Sequence, residues 1–381
     1  MKILCVIVAV LGLAGVAAAQ PLFAPGQDPV AGSRVFGAKG CVQCHAIKGT
    51  GGTIGPDLGR TERPRSFYHL AAELWNHAPR MADRMRQLGI ARPRLDPRET
   101  ADLVAFLFTV DYFDRPGDPD VGRRLFVAKR CVVCHQRAGV GGVFGPNLDA
   151  LGERSTPIYV ATAMWNHGVQ MSEAMRARRI PRPTFTGGEL RDLLAYLAPP
   201  PTGPGEERLH VLPGNAEQGR RLVIDKGCLE CHSVRGLGGR AGPDLADRTV
   251  QGSVLDFAAR MWNKAPAMTA AMRARAVPVP QLQPGEVADM LAFLYSVRYL
   301  GPAGDPQRGA AVAEAKGCPA CHGAGRPAGD LRRTRGLEVP AVLAGLWNHS
   351  FIADAPPRRA PWSAMTDVEM LDLMVFLQFA R

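Results

Sequence analysis

Beyond its first sixteen residues the 381-residue sequence contains no long hydrophobic run, and nothing there approaches the roughly 18 continuous apolar residues of a bilayer span. Aromatics are scarce at 7%, and no basic run is interleaved with them. Arg is scattered along the chain, so the formal net charge of +11 does not describe a nucleic-acid surface. Strand-like alternation never persists for a useful length, which argues against a sheet-based core and for an all-α fold. What remains, 46% hydrophobic and 21% charged, is the composition of a globular chain, and its length exceeds one comfortable hydrophobic core.

The N-terminus is different. One positive charge at Lys2, an apolar run from Ile3 to Val16 and the small residues Ala17-Ala18-Ala19 describe a secretory signal over residues 1–19. Export to the periplasm or beyond is therefore expected, with membrane anchoring as the alternative if the segment is not cut. Cys5 lies inside that run, so eight of nine cysteines belong to the mature chain.

These eight fall into four pairs, Cys41/Cys44, Cys131/Cys134, Cys228/Cys231 and Cys318/Cys321, starting 90, 97 and 90 residues apart. Each pair is C-x-x-C followed at once by a histidine: His45, His135, His232 and His322. Other residues keep the same period. A glycine stands nine residues before each first cysteine (Gly32, Gly122, Gly219, Gly309), and a lysine two before it (Lys39, Lys129, Lys226, Lys316). Leu58, Leu148 and Leu245 close a Gly-Pro-Asp/Asn-Leu segment in the first three repeats. Trp-Asn recurs at Trp75, Trp165, Trp262 and Trp347, and each repeat ends in Glu-x-x-Asp and an apolar helix carrying Phe106, Tyr196, Phe293 or Phe376. Self-similarity at a fixed period marks a tandem array. The repeats are expected at 27–115, 116–200, 213–300 and a divergent 303–381.

Local patterns read as helix. Leu103, Phe106 and Leu107 keep the spacing of one buried face, and Asp96/Glu99, Thr186/Glu189 and Thr366/Glu369 are capping-box starts. A glycine inside the first helix costs about 1 kcal/mol by propensity. A close crossing, with the last helix's aromatic lying over the missing side chain, would offset that cost.

Two thiols three apart can each form a thioether with a vinyl group of one haem, and the adjacent histidine then reaches the iron. A redox dithiol needs no following histidine, and a structural zinc needs paired motifs within one small domain. Four phased histidines favour four covalent haem c groups.

Each repeat resembles a class I cytochrome c module, and the resemblance covers nearly all of the mature chain. It implies an all-α fold of four tandem haem modules with His45, His135, His232 and His322 as proximal ligands. It also implies that a backbone carbonyl at Pro56, Pro146 and Pro243 supports those histidines. The fourth repeat is four residues shorter there and reads Ala328-Gly329-Asp330-Leu331, so its loop must be rebuilt.

Family members complete the iron with a downstream methionine. The first three repeats each offer two, four apart: Met81 and Met85, Met171 and Met175, Met268 and Met272. The first of each pair is preferred, being part of the Trp-Asn block; the second is the alternate. His77, His167 and His349 follow Trp-Asn, but Lys264 stands there in the third repeat, so histidine cannot serve all four, and His77 and His167 read as structural or interfacial. In the fourth repeat Ala353 and Pro357 replace both methionines, leaving His349, Met365 or no strong ligand. Met365 aligns with Leu95, Phe185 and Leu282 and so also reads as core. The four Trp of the Trp-Asn pairs read as walls of the haem pockets.

Six-coordinate sites suit electron transfer between redox proteins, since substrate finds no open iron position. A haem enzyme acting at an open fourth haem on peroxide or nitrite, and a subunit of a membrane redox complex or photosynthetic reaction centre, are the alternatives. Roughly eight haem propionates would offset part of the basic charge. The remainder is expected to favour partners with acidic docking faces, or peripheral association with anionic membranes.

Overall fold

A computed structural model describes residues 27–59, 66–110, 116–198, 214–247, 252–299, 301, 303–323, 325, 329–349 and 363–379. The signal reading at 1–19, Ala328, and the Ala353 and Pro357 positions lie outside them.

The chain is helical and repeats one plan four times. The first repeat comprises α1 (Pro29–Ala38), α2 (Phe67–Gln87) and α3 (Pro97–Thr109). The second has α4 (Pro119–Ala128), α5 (Pro157–Asn166), α6 (Gly168–Ala177) and α7 (Gly187–Leu197). The third has α8 (Ala216–Asp225), α9 (Val254–Ala274) and α10 (Pro284–Tyr299), and the fourth α11 (Pro306–Ala315), α12 (Val339–His349) and α13 (Asp367–Phe379). Each of the first three repeats also carries an antiparallel hairpin of two residues per strand after its cysteine motif, such as Ala46–Ile47 with Thr50–Gly51. Segments this short leave no alternation to read.

Each first helix starts on an Asp or Asn cap: Asp28, Asp118, Asn215 and Asp305. Pro29, Pro119 and Pro306 follow, their φ already set for a helix. The last helices start where expected, with reciprocal side-chain and backbone bonds between Asp96 and Glu99, Thr186 and Glu189, and Thr366 and Glu369. First and last helices of each repeat then pack together: α1 on α3, α4 on α7, α8 on α10 and α11 on α13. At every crossing the phased glycine touches backbone. A Cβ on Gly32, Gly122, Gly219 or Gly309 would stand 1.9, 1.9, 1.9 or 2.0 Å from the carbonyl oxygen of Asp102, Asp192, Asp289 or Asp372. The Cβ atoms of Phe106, Tyr196 and Phe376 lie beside the vacancy in three of the four.

The repeats also pair with one another, and not in chain order. α12 and α13 of the fourth pack on α3 and α2 of the first, while α5 and α7 of the second pack on α9 and α10 of the third. Trp-Asn forms both joints. Asn76 donates from Nδ2 to the Met365 carbonyl (2.8 Å) and accepts from the Met365 amide (2.8 Å), while Trp75 Nε1 donates to Ser363 (2.9 Å). Reciprocally, Asn348 donates to the Leu95 carbonyl (2.7 Å) and accepts from its amide (3.2 Å), and Trp347 donates to Pro93 (2.9 Å). The same clasp joins Trp165-Asn166 to Pro280 and Leu282, and Trp262-Asn263 to Pro183 and Phe185. Tyr299, fully buried at the end of α10, crosses from one pair to the other: its ring meets Phe67 and Phe108 edge-on, and its hydroxyl donates to Gln27.

Candidate haem sites

Every C-x-x-C-H segment forms the same turn. The residue before the first cysteine is left-handed: Gly40, Gly227 and Gly317, with Arg130 in the second repeat at φ 65°. A single turn of 3-10 helix follows, and its histidine amide donates to the first cysteine carbonyl at 2.9–3.0 Å. All eight thiols are free: Cys41, Cys131, Cys228 and Cys318 at the first positions, and Cys44, Cys134, Cys231 and Cys321 at the second.

The sequence treats the two thiols of a pair alike, and here the structure differs from it. The first of each pair packs against core side chains. Burial pushes the Cys41, Cys228 and Cys318 thiols above their ordinary values, and that of Cys131 up to about 11, so at neutral pH these sulfurs carry their protons. The second position is organised through its backbone instead. The amides of Cys44, Cys134, Cys231 and Cys321 donate to the first cysteine's carbonyl at 3.1–3.3 Å. The carbonyls of Cys44, Cys134 and Cys231 accept from Gly55, Gly145 and Gly242 at 2.7–2.8 Å, tying the motif to the loop beneath the histidine. Cys44, Cys134 and Cys231 are half-buried, whereas Cys321 is exposed, so the fourth pair departs from the common pattern. Among the described residues no three His, Cys, Asp or Glu converge on a metal site, so the cysteine pairs do not combine as a zinc centre would require.

The histidines are oriented from behind. His45 Nδ1 lies 3.0 Å from the Pro56 carbonyl, His135 Nδ1 3.0 Å from that of Pro146, and His232 Nδ1 2.9 Å from that of Pro243. A carbonyl can only accept, so Nδ1 donates and Nε2 keeps its lone pair for a metal. The preceding glycine makes room for the ring: a Cβ on Gly55, Gly145 or Gly242 would fall 2.5, 2.6 or 2.4 Å from the imidazole. In the fourth repeat the shortened loop does this job differently. The Gly329 carbonyl, with Gly329 at φ 78°, takes the place of proline and lies 3.3 Å from His322 Nδ1.

The methionine pairs all lie on helices: Met81 and Met85 on α2, Met171 and Met175 on α6, Met268 and Met272 on α9. All six are half-buried, and Met81, Met171 and Met268 pack against core side chains, as do Met175 and Met272. His77 and His167 are exposed, with Nδ1 donating to the carbonyls of Glu73 and Ala163 on their own helices, and Lys264 is exposed too. Their Nδ1 bonds are local to their own helices. Met365 is 5% exposed, and both its amide and its carbonyl are bonded to Asn76. His349 stands apart: it is half-buried with its ring centroid 5.5 Å from that of His322, and burial, with His322 beside it, lowers its pKa.

The tryptophans do more than line a core. Their indole N–H groups are spent on the facing repeat, Arg182 lies 3.6 Å over the Trp262 ring, and Arg92 lies 5.8 Å over that of Trp347. The phased lysine, which had no role in the sequence reading, is also explained. Lys39, Lys129, Lys226 and Lys316 each donate to a carbonyl of the loop before the last helix and pair with Glu99, Glu189, Glu286 or Glu369.

Free thiols three apart, a histidine with Nε2 unspent and a glycine cradle behind its ring suit a covalently attached haem and little else. The fold and these sites define a multi-module c-type cytochrome. The family model for cytochrome c matches residues 29–111, 120–199 and 216–298, and the chain belongs to that family. No curated protein and no solved structure matches it. Membership carries covalent haem c and a haem-based electron-transfer role. Among the described residues no helix is long and apolar enough to cross a membrane.

Proposed function

We propose that the chain is an exported tetrahaem cytochrome that passes electrons between redox proteins. One observation carries this reading: all four repeats, including the fourth that the family model does not match, set a free thiol pair before a histidine whose Nδ1 is tied to a loop carbonyl. A bound haem supplies one-electron chemistry at its iron. Cys41 with Cys44, Cys131 with Cys134, Cys228 with Cys231 and Cys318 with Cys321 would anchor it against loss after export. The carbonyl bonds fix each imidazole's tautomer and raise the basicity of Nε2. In the first three modules a methionine from α2, α6 or α9 would close the sixth position, Met81, Met171 and Met268 being preferred over Met85, Met175 and Met272. A closed iron leaves substrate no place to bind, which suits transfer over catalysis. Basic composition favours partners with acidic docking faces.

The test is a mass spectrum of the denatured mature protein, expected to show four haem additions and an N-terminus at Gln20. Fewer haems would reduce the count to the modules that hold them. For the distal side, replacing Met81, Met171 and Met268 together should abolish most of the methionine-to-iron charge-transfer absorption of the oxidised protein. Loss on replacing Met85, Met175 and Met272 instead would assign the other member of each pair.

A further inference from the structure

We propose that His349 is the distal iron ligand of the fourth module, which makes this haem bis-histidine in a chain whose other three modules present methionine. The inference rests on the tetrahaem reading above. Its ground is the approach of two imidazoles. The rings of His322 and His349 stand 5.5 Å apart between centroids and are tilted by 45°, which is not the parallel arrangement of stacked rings. Two imidazoles bound on either side of one metal ion, each nitrogen at about 2 Å, have centroids roughly 6 Å apart. His322 Nδ1 is already held by Gly329, so Nε2 is its ligating atom.

The equivalent positions behave otherwise. His77, His167 and Lys264 are exposed, and the two histidines spend Nδ1 on their own helices. α2, α6 and α9 carry the methionine pairs of the first three repeats, and the fourth repeat has no methionine at either of those positions.

The remaining candidates are committed elsewhere. Met365 occupies the interface position held by Leu95, Phe185 and Leu282 in the other modules, with its backbone clasped by Asn76. Met370 and Met374, fully buried on α13, take the core positions of Thr100 and Val104 on α3. Lys316 is bonded to Ala364 and Glu369.

The experiment uses the full holo-protein, in wild-type, His349→Ala and His349→Met forms, read by mass, electron paramagnetic resonance, carbon monoxide binding and potentiometric titration. Four haems, one of them with a bis-histidine signal and a potential below the other three, are expected in the wild type. In His349→Ala that signal should vanish, and the reduced protein should bind carbon monoxide at about one iron in four. His349→Met should keep that iron closed to carbon monoxide while raising its potential, an outcome that a packing role for His349 would not give. A bis-histidine signal that survives in His349→Ala, or a wild type with four His/Met spectra, would overturn the assignment. Three haems in the wild type would overturn instead the tetrahaem reading beneath it.

Discussion

Gly32, Gly122, Gly219 and Gly309 are pressed against the carbonyls of the Asp in Glu-x-x-Asp, with no space for a methyl group. The contact is to backbone, which cannot rotate aside as a long side chain could. Gly32→Ala should therefore force α1 off α3, and overpacking of this kind costs about 1–3 kcal/mol or more. Thermal unfolding should show the loss, and an unchanged midpoint would mean that the crossing yields easily. The residue before the first cysteine works in the opposite direction. Three modules place Gly there in the left-handed region, but the second places Arg130 at φ 65°. A left-handed side-chain-bearing residue costs roughly 1–2 kcal/mol, so Arg130→Gly should raise the stability of that module by about 1 kcal/mol. A denaturant titration with the haem absorbance as probe would register it, and a fall in midpoint would contradict it.

Between first and last helices, three repeated residues form one staple. The Asp of Glu-x-x-Asp accepts from the amide of the first helix's cap residue, as Asp102 does from Asp28 (2.7 Å) and Asp372 from Asp305 (2.7 Å). The Glu caps its own helix and pairs with the phased Lys. This lowers the Glu369 carboxyl through the Lys316 bond and the Thr366 amide; for Glu189 and Glu286 burial opposes the shift, but the Lys129 and Lys226 bonds outweigh it. A depressed carboxylate contributes stability that is present above the unfolded value, about 4.3, and lost as pH falls through the folded one. Lys316→Gln should thus cost roughly 0.2–1 kcal/mol at neutral pH, since the pair is partly solvated, and the difference from wild type should close on acidification below about pH 4. Melts recorded from pH 7 to pH 3 measure this, and a difference that persisted unchanged at pH 3 would exclude the carboxylate.

The capping half of that staple was legible because its partners lie three residues apart in sequence. So was the helix crossing, where a glycine and an aromatic recur at fixed offsets. The Lys–Glu link spans 53 to 60 residues, and the cap-to-Asp bond 67 to 74, so neither leaves a local pattern, only an unexplained periodicity. At the site, the eight cysteines were legible as four pairs, but the unequal burial within a pair, and the exposure of Cys321, depend on chain that packs from elsewhere. The proximal carbonyls came from resemblance to known modules; in the fourth repeat the sequence set Gly329 in the place of proline, but the bond of its carbonyl to His322 belongs to the folded loop.

At the scale of the whole molecule, the order of repeats in the chain is not their order in space. First joins fourth and second joins third, each through a reciprocal pair of Trp-Asn clasps, and Tyr299 links one pair to the other. The Asn side chain acts here as a portable stretch of backbone: its amide pairs with both the N–H and the C=O of one facing residue. Removing it leaves those two buried groups unsatisfied, which costs about 1–3 kcal/mol each. An Asn76→Ala/Asn348→Ala variant severs all four such bonds of the first–fourth joint but leaves those of the second–third joint in place. It should retain every haem and every helix while the outer pair opens, seen as a larger radius of gyration in small-angle scattering and as a separate, lower unfolding transition. Asn166→Ala/Asn263→Ala should open the inner pair instead, so the two double variants should expand the molecule by different routes and add in combination. If neither changes the scattering, the indole bonds and apolar packing hold the joints alone, and the asparagines do no more than fix their register.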